Sequence, residues 1–247
     1  ERLLMNLQHK TALVTGGATG IGYSIAKALA NAGCKVAIAG RREDKLKAAA
    51  VAWSQQPAMI YHTCDVGDRA GVNTLFDWAT KELGQIDILV NAAGTNIKNR
   101  SMTEMRPEQW DELMAANATG VYNCMYAVLP QMRARKDGVI INISSISGKR
   151  AYALGGVAYV ASKYAMAGLG NAVANEDGKN GVRVTTIYPG EVNTPILEHR
   201  PNPVSDAHKA AILQPEDFGD IVVAIASLPP RAHVPELILK PTFQEYV

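Results

Sequence analysis

Residues 159–163 read YVASK. On a helix a residue and the fourth one after it share a face, so this spacing sets the phenol of Tyr159 beside the ammonium of Lys163. A free tyrosine titrates near ~10, roughly three units too high for easy proton exchange at neutral pH. A positive charge one turn away favours the phenolate. The pair therefore suits a group that gives a proton to a substrate oxygen, or takes one from it. Tyrosine and lysine also meet at this spacing on ordinary solvated helices, so the pair gains meaning only from what surrounds it.

A second constellation is TGGATGIG (15–22), which follows an apolar run and opens a helical pattern. With no side chains, Gly16, Gly20 and Gly22 let a backbone approach a pyrophosphate, and the helix N-terminus offers free N–H groups. Thr19 and Ile21 belong to the same turn. The next apolar run ends Gly40-Arg41-Arg42. In a dinucleotide site this position often holds a carboxylate for the ribose. Two guanidiniums instead offer paired donors to a 2′-phosphate, which points to NADP(H), with NAD as the alternative cofactor.

TGGATGIG, CDV (64–66), NAAG (91–94), Asn117, the serines at 144–145, YVASK and Pro189-Gly190 follow one another in the order found in the short-chain dehydrogenases/reductases. The chain resembles that family over nearly its whole length. It is similar to 3-oxoacyl-carrier-protein reductases and to small hydroxy-acid dehydrogenases. The resemblance implies an oxidoreductase that moves a hydride between NADP(H) and a carbonyl or secondary alcohol, with Tyr159 as general acid/base. It implies that Ser145 (Ser144 being the fallback) hydrogen-bonds the reacting oxygen. Lys163 would meet the ribose, and Asn117 would distort its helix and hold a water in a proton relay. It further implies cofactor contacts from Asp65 and Val66 at the adenine and from Asn91, Ala92 and Gly94 along the central sheet. Pro189, Gly190, Val192 and Thr194 would meet the nicotinamide carboxamide. Where NADP enzymes of the family often carry Arg before the second glycine, this chain has Thr19, so Arg41 and Arg42 alone would hold the 2′-phosphate. The ending ELILKPTFQEYV lacks the family's common Asp-Gly-Gly. A catalytically silent nucleotide sensor on the same fold is the other class of reading; the presence of both Tyr159 and Lys163 disfavours it.

These groups need a frame. Short Val- and Ile-rich runs at 10–15, 35–40, 58–66, 86–94, 139–145, 182–189 and 235–240 alternate with helical patterns at 21–33, 42–53, 68–83, 107–135, 159–176 and from Pro215. Runs apolar on both faces and joined by helices predict a parallel sheet. The expectation is an α/β doubly wound Rossmann fold, about seven parallel strands with helices on both faces, in one domain over 1–247. The composition, 47% hydrophobic and 19% charged, is ample for such a core. A net charge of +2 suggests no nucleic-acid or anionic-membrane surface. No run of 18 or more apolar residues predicts a membrane span. The five histidines and three cysteines show no metal-ligand spacing. ERLLMNLQHK carries no signal-peptide core, Met5 stands as a candidate start, and the expected location is cytoplasmic.

The polar, proline-bearing stretch 191–213 is expected to act as a lid over the substrate. With the loop 149–158 it supplies Lys149, Arg150, Tyr152, Asn193, His199 and Arg200, plus Glu191, around the reaction centre. This cationic set favours an anionic substrate. Ile196, Leu197, Val204, Ile212 and Leu213 in the lid would instead suit an apolar one. A homo-oligomer, dimer or tetramer, is implied by the resemblance. The helix from Pro107 and the helix of Tyr159 would pair with symmetry mates, helped by the small residues Ala165, Ala167, Gly168, Gly170, Ala172 and Ala174.

Overall fold

A computed structural model of the chain describes residues 6–245. Met5 and the four residues before it lie outside them, as do the last two of the C-terminal ending. The strands are β1 (Thr11–Thr15), β2 (Lys35–Gly40), β3 (Ile60–Thr63), β4 (Ile88–Asn91), β5 (Gly138–Ile143), β6 (Val182–Pro189) and β7 (Glu236–Leu239). They form a seven-stranded sheet in the order β3-β2-β1-β4-β5-β6-β7, every pair parallel. The helices are α1 (Gly20–Asn31), α2 (Glu43–Ala52), α3 (Arg69–Leu83), α4 (Pro107–Met114), α5 (Gly120–Arg135), α6 (Val157–Asp177), α7 (Asp206–Ala211) and α8 (Gly219–Ala226).

Side chains of period two divide the core between the two faces of the sheet. Ala12, Val14, Ile88, Val90, Val139 and Ile141 point one way, into a cluster with Ile25 and Leu29 of α1 and Val222 of α8. Leu13, Leu89 and Ile140 point the other way, toward Leu75 and Phe76 of α3, Val128 and Met132 of α5 and Met166 of α6. Both faces are thus covered by helices. This is why the central strands read as unbroken apolar runs rather than alternating ones.

The chain leaves β1 toward β2 on one side, and the crossover after β3 returns it to β4 on the other. Between β1 and β4 the strand order reverses, and at such a point the loops beyond the strand ends part to leave a crevice. Three local signals set the surrounding helices. Asp68 caps α3, accepting from the N–H groups of Ala70 and Gly71, and Gly84 ends it at φ 86°. Pro107 opens α4. Between α4 and α5 the helix widens into a π-turn over Ala115–Thr119, centred on Asn117.

Some boundaries differ from the sequence expectation. The third strand pairs only over Ile60–Thr63, not 58–66, because it is an edge strand with β2 as its single partner. The stretch 191–213 is not one loop: a single 3₁₀ turn over Pro195–His199 and the short α7 lie within it. Ile212 is 4% exposed and packs in the core, while Leu213 bridges Val192. Neither lines the crevice at the switch point.

Candidate active site

The crevice at the switch point is a cleft of about 550 Å³. The glycine turn forms one end. Gly16 (φ 66°) and Gly20 (φ 54°) are left-handed, a conformation costly for any side chain. A Cβ on Gly16 would come within 2.7 Å of the Ala92 backbone, and one on Gly20 within 3.2 Å of Thr194. The missing side chains thus bring the turn, the NAAG segment and the segment after β6 together around one space. Helix α1 begins there with no side-chain cap and no acidic residue in its first turn. A helix start of this kind attracts an anion.

Of the residues singled out from sequence, Gly16, Thr19, Gly20, Ile21 and Gly22 line the cleft on the glycine side. Arg41 and Arg42 border it after β2, and Asp65 and Val66 after β3. Ala92 and Gly94 line its centre, and Pro189, Gly190, Val192 and Thr194 its far wall. Asn91 does not reach it: its amide donates to Asn142 Oδ1 at 2.9 Å, inside the sheet. Its place is a brace between β4 and β5 rather than a wall of the site.

At the cleft's deep end α6 carries Tyr159 and Lys163. The Lys163 Nζ lies 5.6 Å from the centre of the Tyr159 ring and donates to the Ile143 carbonyl at 3.0 Å. Burial pulls the ammonium down to about 7. Burial also pushes the Tyr159 phenol up, to about 12. The Ser145 hydroxyl, hydrogen-bonded to the phenol, works against that rise; Tyr152 adds to it and the Arg100 charge opposes it. In the protein alone, loss of solvent outweighs every charge near the Tyr159 phenol.

The two serines separate cleanly. Ser145 bonds the Tyr159 phenol and accepts from the Ser147 N–H at 3.1 Å. Ser144 donates to the Lys163 carbonyl at 3.2 Å and so braces α6. Asn117, fully buried in the π-turn, accepts from Thr95 N–H at 2.8 Å and donates to the Thr95 carbonyl and the Ser162 hydroxyl. It ties the loop after β4 to the helix of Tyr159 without itself lining the cleft.

The lid expectations divide. Tyr152, His199, Arg200, Glu191, Ile196 and Leu197 line the cleft. Lys149 does not. The 3₁₀ turn Ile146–Gly148 swings it toward β7, where it pairs with Glu236 at 2.5 Å and covers the Tyr188 ring. Arg150 is exposed, and Asn193 donates to Gln214. Neither lines the cleft, nor does Val204. Arg200 is held by Glu191 at 3.2 Å, and the same carboxylate meets His208 of α7 at 2.5 Å. Several cleft residues escape sequence reasoning, Asn96, Glu112 and Arg100 among them; Arg100 lies in a polar stretch between β4 and α4 with no motif to mark it.

Such a cleft can hold a dinucleotide along the strand ends and a small molecule at the Tyr159 end. It offers no metal: no group of three His, Cys, Asp or Glu among the described residues could hold one. Nor is any helix among them long and apolar enough to cross a membrane.

Comparison with known proteins gives a consistent picture. The family model described as short chain dehydrogenase matches residues 10–204. An uncharacterized oxidoreductase of Staphylococcus saprophyticus is 35% identical over 240 residues, 96% of this chain and 100% of that protein. The closed form of a serine dehydrogenase complexed with NADP+ is 30% identical with a TM-score of 0.86, covering 96% of each chain. An alcohol dehydrogenase from the archaeon Thermococcus sibiricus, complexed with 5-hydroxy-NADP, is 27% identical with a TM-score of 0.85, covering 96% of this chain and 98% of that one.

Proposed function

The chain belongs to the short-chain dehydrogenase family, and we propose that this NAD(P)-dependent oxidoreductase interconverts a small carbonyl compound and its secondary alcohol, with Tyr159 as the proton donor and acceptor. The observation that carries the proposal is the grouping of Tyr159, Ser145 and Lys163 at the closed end of the cleft that the glycine turn opens.

A nicotinamide, when bound, supplies or accepts the hydride at the substrate carbon. The residues of this chain do the rest. Tyr159 donates its phenolic proton to the carbonyl oxygen in reduction and recovers it from the alcohol in oxidation. Ser145 donates a hydrogen bond to that same oxygen and stabilises its developing charge. Lys163, next to Gly94 and the Ile143 carbonyl, is placed to hold ribose hydroxyls and to bring its own charge toward the phenol. Asn117 holds the loop and α6 at a fixed separation.

Arg41 and Arg42, exposed at the adenosine end, favour NADP(H) over NAD(H). The chain acts as one domain with 191–213 as its lid, and Glu191 latches the lid through Arg200 and His208. Exposed Trp110, Tyr122, Tyr126 and Tyr164 lie on α4, α5 and α6, which run side by side, and suit the contact of a homodimer or homotetramer. On α6 the small residues divide: Ala167 and Gly170 face the sheet, while Ala165, Gly168 and Ala172 remain outside for a partner. Cys34, Cys64 and Cys124 are buried and free, which fits a reducing compartment such as the cytoplasm.

A panel of ketones, aldehydes and oxo acids offered with NADPH tests the reading. Oxidation of NADPH that depends on one of these carbonyls is the expected result. Nicotinamide binding with no turnover across the panel would favour the sensor.

A further inference from the structure

Arg100 stands out among the charged residues of the cleft. It is 9% exposed and lines the same end as Tyr152 and Tyr159. Its Nε donates to the Ile97 carbonyl at 2.7 Å, one terminal nitrogen to the Leu154 carbonyl, and the other to the His199 carbonyl at 2.8 Å. All three partners are neutral. No carboxylate among the described residues forms an ion pair with it. A guanidinium has five N–H donors. Three are taken, which leaves one on each terminal nitrogen.

The neighbouring Arg200 faces the same cleft, but Glu191 neutralises it at 3.2 Å. Arg200 also repels Arg100. Of these two guanidiniums, Arg100 is therefore the one that no carboxylate partners. A buried, unpaired charge is unfavourable, and an incoming anion relieves the cost. Two remaining donors on adjacent nitrogens match the two oxygens of a carboxylate.

The placement is rigid as well. The Arg100 carbonyl accepts from the Val157 N–H at 3.1 Å at the first turn of α6, two residues before Tyr159. Gly156, at φ 83°, leaves room for the Arg100 side chain, which a Cβ there would approach to 2.6 Å. Arg100 and Tyr159 are thus held by one short piece of backbone.

We infer that the substrate is an oxo or hydroxy acid whose carboxylate pairs with Arg100, setting the reacting carbon between that guanidinium and the Tyr159 phenol. The inference rests on the reading of Tyr159 as proton donor and narrows it to one substrate class. The alternative role for Arg100 is a plain tie joining the loops of Ile97, Leu154 and His199.

The test compares 3-oxo acids of increasing chain length with their methyl esters, using NADPH, in the wild type, Arg100→Gln and Arg100→Lys. A charge-assisted pair predicts that the best acid exceeds its ester roughly 10- to 100-fold in kcat/KM. The ratio should fall toward one in Arg100→Gln and return in part in Arg100→Lys. An ester that matches its acid in the wild type overturns the inference, whether or not the variants fold. So does an Arg100→Gln protein in which acid and ester lose activity by the same factor, the result expected of a loop tie. Calorimetric titration of 3-hydroxybutanoate against its methyl ester separates this inference from the reading beneath it. Selective acid binding without turnover keeps the carboxylate site and removes the Tyr159 chemistry. Turnover of ketones without acid selectivity does the reverse.

Discussion

Lys163 lies 5.6 Å from the centre of the Tyr159 ring, close enough to influence it, yet its hydrogen bond goes to the Ile143 carbonyl. Burial raises the phenol to about 12, which keeps it neutral, and lowers the ammonium to about 7, so that it is only partly charged at neutral pH. The protein alone therefore holds a neutral phenol beside a lysine poised between its two forms. Anionic and hydroxyl partners brought into the cleft would shift Lys163 back toward its charged form and, through it, lower the phenol.

The pH dependence of stability follows from that burial. A lysine lowered to about 7 in the folded state, against an ordinary value of 10.5, leaves the unfolded chain binding the extra proton between those values. Folding is penalised fully below about pH 7, and the penalty fades as pH rises toward 10.5, by at most about 1.4 kcal/mol per pH unit. Tyr159, raised instead, contributes stability that is present below about 10 and is lost only as pH climbs to about 12. In cofactor-free protein, Lys163→Met should thus raise Tm relative to wild type most near pH 7 and least near pH 10. A difference in Tm that does not vary with pH would argue against a buried, titrating lysine.

Arg41 and Arg42 carry the cofactor prediction. Arg41→Ala together with Arg42→Ala should weaken NADPH binding by roughly tenfold, because each exposed charged contact to a phosphate is partly screened. NADH binding should change little. Dissociation constants for both cofactors, from fluorescence titration, decide it; wild-type values that are equal, or that favour NADH, remove the basis for NADP preference.

Much of this architecture is legible in the sequence, for physical reasons. Strands β2 and β6 have the limits their β-branched and apolar runs predict, because a strand buried on both faces is rich in such residues and both runs are bounded by turn residues. The glycine turn, Asp65, Ser145 and the Tyr159–Lys163 pair sit in local patterns whose spacing carries their geometry. What cannot be read depends on where distant loops meet. Lys149, four residues from Ser145, belongs to the site by sequence distance, but the turn at Ile146–Gly148 gives it to Glu236 on the opposite edge. Arg100 looks like an ordinary surface arginine until three carbonyls from three loops close around it. The shortness of β3 reflects an absent second neighbour, which no local pattern encodes.

Gly156 links the fold to the site and gives a stability prediction. Its φ of 83° and the 2.6 Å approach of an added Cβ to the Arg100 side chain leave no strain-free place for a methyl group. Gly156→Ala should cost about 1–3 kcal/mol from the backbone alone, because positive φ with ψ 154° is a region that only glycine adopts freely, with a further loss from displacing Arg100. Urea denaturation measures it. A variant as stable as wild type would mean that the 154–157 turn yields without strain.

The proton role of Tyr159 is the central claim, and Tyr159→Phe tests it most directly. The substitution removes one oxygen from a residue whose ring remains in place. NADPH consumption with the best carbonyl substrate, measured beside NADPH binding, separates chemistry from folding. The expected result is a roughly hundred- to ten-thousand-fold loss of turnover, the usual worth of a positioned general acid, with the cofactor dissociation constant changed by less than about threefold. Substantial turnover in Tyr159→Phe, at more than about a tenth of the wild-type rate, would show that the proton comes from another group and would contradict the account.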